Sequence, residues 1–81
     1  MGNVTYYVAI GFRRGGDGEL VALDPVEART LTSAIARARS FAACEAGAIA
    51  FSRTGDPDVG EFADAVVLFK AGEVPEDAVM G

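Results

Sequence analysis

The chain has 81 residues, 51% hydrophobic and 23% charged, with two tyrosines, five phenylalanines and no tryptophan. That length makes one domain the default, and the apolar content is too high for a disordered segment. Without histidine, no Ser-His-Asp or Cys-His nucleophile can assemble within one chain, and with Cys44 as the single cysteine neither an intrachain disulfide nor a structural zinc site can form.

The net charge of −5 is unevenly spread. Up to Gly55 there are five acids and six arginines; from Asp56 onward there are seven acids and one lysine. Duplex DNA binding needs a basic footprint. Arg13-Arg14 and the Arg29, Arg37, Arg39 group are the only candidates, and both read as solvated charge, so no nucleic-acid partner is expected. No apolar run reaches the roughly 18 residues of a membrane span. The opening Met1-Gly2-Asn3-Val4-Thr5 has neither a secretory pattern nor, with Tyr6 where Ser or Thr is required, a myristoylation signal. A cytoplasmic protein without a membrane partner is expected.

In chain order, Val4, Tyr6, Val8, Ile10 and Phe12 alternate with Thr5, Tyr7, Ala9, Gly11 and Arg13, the period of a strand. Arg14-Gly15-Gly16-Asp17-Gly18-Glu19 reads as a turn. A second strand is expected over residues 20–23, with Phe12 opposite Val21 and Ile10 opposite Leu23. Pro25 has no N–H to give, so Asp24-Pro25 interrupts the pairing and residues 26–29 continue as a bent edge strand.

A helix follows over residues 31–46, capped by the hydroxyl of Thr30 or Thr32. Leu31, Ala34, Ile35, Ala38, Phe41 and Ala42 form its apolar stripe, and Gly47 is expected to end it in the left-handed conformation. Residues 48–53 and 61–70 then form a second hairpin, with Arg53 opposite or diagonal to Glu61 at its mouth. Alternation places Ile49 and Phe51 on one face with Val67 and Phe69, and Ala48 and Ala50 on the other with Val66 and Leu68.

The pattern predicts an α+β domain over residues 1–70, ordered β-β-α-β-β, with one helix on one face of a three- or four-stranded, mainly antiparallel sheet. An extended or frayed acidic tail over 71–81 completes the chain. The helix is expected on the face of Tyr6, Val8, Ile10, Phe51 and Val67. The opposite face, with Tyr7, Ala9, Ala50, Val66 and Leu68, then becomes the candidate interface.

Little chemistry is visible. Asp56, Asp58 and Glu61 share a solvated loop, so they read as turn residues and not as catalysts. As a calcium loop this segment fails, because position twelve is Val67. Gly15-Gly16-Asp17-Gly18 lacks the Lys-Ser/Thr of a phosphate loop, and Cys44 lies off the helix's apolar stripe. No catalytic residue, metal ligand or cofactor is expected.

The run Gly47-Ala48-Ile49-Ala50-Phe51-Ser52-Arg53-Thr54-Gly55-Asp56 resembles a segment of short, uncharacterised bacterial proteins, which implies a bacterial origin and carries no activity with it. The strand bearing Tyr6 and Tyr7, the turn at Gly15-Gly16 and the Ala-rich helix also resemble HicB-type antitoxins, whose Pro-Asp/Leu-Pro-Gly region between second strand and helix is lacking here.

Three functions compete. The leading one is a non-enzymatic protein-interaction module, homodimeric through the sheet face away from the helix. The alternative is a small acidic regulator or antitoxin-like inhibitor that binds another protein. The third is a minor hydrolase or isomerase whose site would be assembled between subunits from Tyr7, Arg53, Asp64 and Cys44.

Overall fold

A computed structural model describes residues 2–75. Within them the chain forms β1 (Val4–Arg14), β2 (Leu20–Ala22), β3 (Val26–Ala28), α1 (Leu31–Cys44), β4 (Gly47–Asp56), β5 (Glu61–Phe62) and β6 (Val66–Gly72). This is an α+β fold in which one helix packs on an antiparallel sheet. The long strands β1 and β4 pair at its centre, β2 and then β3 lie along the outer side of β1, and β6 and β5 lie along the outer side of β4.

The first hairpin differs from the expectation by one residue. Phe12 faces Ala22 and Arg13 faces Val21, and the Leu23 amide donates to the Gly11 carbonyl at 2.8 Å. Because side chains alternate, a slip of one residue moves every one of them to the other face. Val21 therefore stands with Arg13, half-exposed, and a Leu23 methyl lies on the side of Gly11. The interruption at Asp24-Pro25 is present, and β3 resumes pairing with Tyr7 opposite Ala28.

Thr30 caps the helix, its hydroxyl accepting from the Ser33 amide at 3.0 Å. The helix ends two residues earlier than expected. Glu45 is extended, with φ −116°, and its amide donates to the Phe41 carbonyl. Gly47 is not the left-handed stop. It already belongs to β4, because the Ala46 amide donates to the Phe12 carbonyl and draws the chain straight into the sheet.

The main departure concerns the covered face. The fully buried residues between helix and sheet are Ala9, Ala34, Ala38, Ala48 and Ala50, with Tyr7, Ala28, Phe41, Leu68 and Phe69 packed around them. The helix thus lies on the face of Tyr7, Ala9 and Gly11, not on that of Tyr6, Val8 and Ile10. The reason is volume: two helical alanines lie on three sheet alanines, and the Phe41 ring sits where a Cβ on Gly11 would meet it at 2.9 Å. Such small residues let the helix approach closely, and large side chains in those positions would hold it off.

A β-bulge completes the rearrangement. Phe51 faces Val67 as the alternation predicts, but Ala50 faces Phe69 and Ile49 faces Lys70, so Leu68 is the extra residue. Leu68 and Phe69 both pack against the alanine layer, and the Arg39 guanidinium lies 5.7 Å from the Phe69 ring centre. The last strand also runs past the expected boundary at Lys70, through Ala71 and Gly72, and the Glu73 amide donates to the Ala46 carbonyl at 3.0 Å. The rest of the expected tail, 76–81, lies outside the described residues.

Candidate functional site

With the helix on the small-residue face, the larger apolar side chains stand on the other. Val8 faces Phe51, which faces Val67; the next row holds Ile10, Ile49 and Lys70. Tyr6, Val8, Ile10 and Phe51 are half-buried and Val67 is 50% exposed. Ile49 and Phe12 on this face are only 3% exposed, so the open part of the strip is the row of Val8, Phe51 and Val67 with Tyr6 and Ile10 beside it; no helix among the described residues lies on it. Its apolar side chains come from three strands, β1, β4 and β6, with about 10 Å between the outer two; a grouped exposed apolar row of this kind is where interaction surfaces form.

Both ends of the strip are closed by the chain itself. At one end the Phe62 ring lies 6.0 Å from that of Tyr6, and a Cβ on Gly55 would strike the Phe62 backbone. At the other, Glu73 crosses Gly47 so closely that a Cβ there would come within 2.6 Å of the Glu73 backbone nitrogen and carbonyl carbon. The result is a shallow trough bounded at its ends and open along its length.

The residues expected to form the interface are elsewhere. Ala9 and Ala50 are fully buried beneath the helix, and Tyr7 and Leu68 pack against the same layer. Val66, opposite Ser52 in the row where the helix begins, is 59% exposed but belongs to the helix's side of the sheet. The surface residues missed were Tyr6, Val8, Ile10, Phe51 and Val67. Their signal was the excess of Ala and Gly on the alternate positions, which marks the face that can accept a helix at close range.

The four residues considered for an inter-subunit catalytic site are not brought together within the chain. Tyr7 is on the helix side. Arg53, opposite Tyr6, is on the other and donates through Nε to the Ala63 carbonyl at 3.3 Å. Asp64 is exposed between β5 and β6, and the Cys44 thiol donates to the Ser40 carbonyl at the exposed end of the helix. In the acidic loop the Asp58 amide donates to an Asp56 carboxylate oxygen at 2.9 Å, a local turn. Arg53 does not meet Glu61, because Glu61 faces Asp56. Among the described residues no group of three His, Cys, Asp or Glu is placed to hold a metal ion, and no helix is long and apolar enough to cross a membrane. The outer helix face carries a shallow hollow of about 310 Å³ lined by Ser33, Ala36, Arg37 and Ser40.

The defined electrostatics lie at the end of the sheet where the helix finishes. Arg13 donates from Nε and Nη2 to the two carboxylate oxygens of Glu45, at 2.9 and 2.8 Å, and Arg14 makes the same forked pairing with Glu73. The Glu45 side chain is 13% exposed, against 49% for Glu73, so solvent screens the first pair less. Hydrogen bonds from Arg13 and Arg14 hold both carboxylates below their ordinary pKa. A carboxylate with a depressed folded pKa stabilises the fold above its unfolded value, about 4.3, and that stability is lost as pH falls through the folded value. Arg13→Gln is therefore expected to lower the urea midpoint at about pH 6 and to leave it nearly unchanged at about pH 2. Equal losses at both pH values would mean that Arg13 acts through packing.

No protein-family model, curated protein or solved structure matches the chain.

Proposed function

We propose that this chain is a non-enzymatic protein-interaction module that forms a homodimer through the sheet face its helix leaves uncovered. One observation carries the reading. The layer between helix and sheet holds five fully buried alanines and no fully buried large side chain, while Val8, Ile10, Phe51 and Val67 line the opposite face. Apolar surface left in water forgoes about 25 cal/mol for each Å² that could be buried, and closed twofold pairs are the commonest assemblies. The single exposed thiol of Cys44 suits a reducing cytoplasm.

The acidic regulator is the second reading, favoured by Asp58, Glu61 and Asp64, which are exposed along the hairpin end between β4 and β6. Sedimentation of the unmodified chain and of Val67→Asp separates the two. A dimer that becomes monomeric in the variant, with its helical circular dichroism retained, supports the module. A monomer at high micromolar concentration overturns it in favour of the regulator.

A further inference from the structure

We propose that the second copy sits on the open face about a twofold axis running along the strands, so that Glu27 of each protomer meets Lys70 of the other. This rests on the dimer reading above and adds the partner's orientation. Glu27 lies opposite Val8 on the outer strand β3, and Lys70 lies opposite Ile49 on the outer strand β6. They share the uncovered face, flank its apolar strip on opposite sides and are both exposed. Neither makes a hydrogen bond or ion pair with any described residue, in contrast to Arg13, Arg14, Glu45 and Glu73.

Two sheets stacked face to face lie about 10 Å apart with their strands nearly aligned. A twofold axis across the strands would set Glu27 over Glu27 and Lys70 over Lys70, which like-charge repulsion disfavours. An axis along the strands exchanges the two edges and brings each Glu27 to a Lys70. The two residues stand two positions apart along the strands, a stagger of about 6.6 Å that the lysine's four-carbon stem can span. The apolar strips then cover each other. The facing area stays under about 1,200 Å² in total, which puts the pair among weak, reversible dimers.

The test is sedimentation equilibrium of the full chain with Glu27→Lys, Lys70→Glu, the double variant and Val67→Asp. Each single charge reversal is expected to raise the dimer dissociation constant about tenfold at low salt, since two rim pairs turn repulsive. The double variant should return to within about threefold of the unmodified chain, and an equimolar mixture of the two singles should form a heterodimer tighter than either homodimer. If Val67→Asp dissociates the dimer and the charge reversals do not, the orientation is wrong and the dimer reading stands. If Val67→Asp leaves the dimer intact, both fail and the copies meet elsewhere, for example at an outer edge of the sheet.

Discussion

Replacing Gly47 with valine is expected to destabilise the fold by about 2 to 4 kcal/mol, through overpacking that relaxation cannot relieve. The obstacle at this position is backbone. Glu73 crosses Gly47 on the open face, with its carbonyl oxygen nearer still than its nitrogen and carbonyl carbon, each 2.6 Å from where a Cβ would stand. A flexible side chain could swing aside, but the Glu73 backbone is held by its amide bond to the Ala46 carbonyl and by the forked pairing of its carboxylate with Arg14. Valine at 47 must lift residues 73–75 away and break both. The urea midpoint should fall and the Glu73 amide should lose its protection from hydrogen exchange. A midpoint within about 0.5 kcal/mol of the unmodified chain, the usual range for neutral surface changes, would show that Glu73 does not lie across Gly47.

Ala50→Leu is expected to cost about 3 kcal/mol or more, at the upper end of overpacking. Ala50 is fully buried, faces Ala9 on one side and Phe69 on the other, and lies beneath Ala34 and Ala38. A leucine there has no space to enter without raising the helix from the sheet, which would expose the remaining alanines and Phe41 together. This variant also decides between the two faces. On an open face Ala50→Leu would change stability by less than about 0.5 kcal/mol. A near-neutral result in thermal or urea unfolding would place the helix on the other side of the sheet.

The main elements were legible because they rest on local signals, whereas the sheet among the described residues has six strands instead of three or four, in part because the expected strand over 61–70 breaks into β5 and β6. Alternation from Val4 to Phe12, proline at position 25, the threonine before Leu31 and the stripe through Ala34, Ala38 and Phe41 each act within one or two turns of chain. The helix's end was misread because Gly47 looks like a stop, whereas that glycine is required by Glu73, a residue 26 positions later. Likewise, the bulge at Leu68 follows from how β6 lies against β4 and carries no mark of its own in the sequence.

The alternation by itself determined which residues share a face: Tyr6 with Val8 and Ile10, and Tyr7 with Ala9. It could not determine which face the helix takes, because both are apolar in their middle rows and hydrophobicity does not separate them. Tertiary packing made that choice by shape. The helix contributes two buried alanines and one large ring, so it settles where Ala9, Ala48 and Ala50 allow close approach and Gly11 leaves room for Phe41. The larger side chains of the other face have no matching recess on this helix.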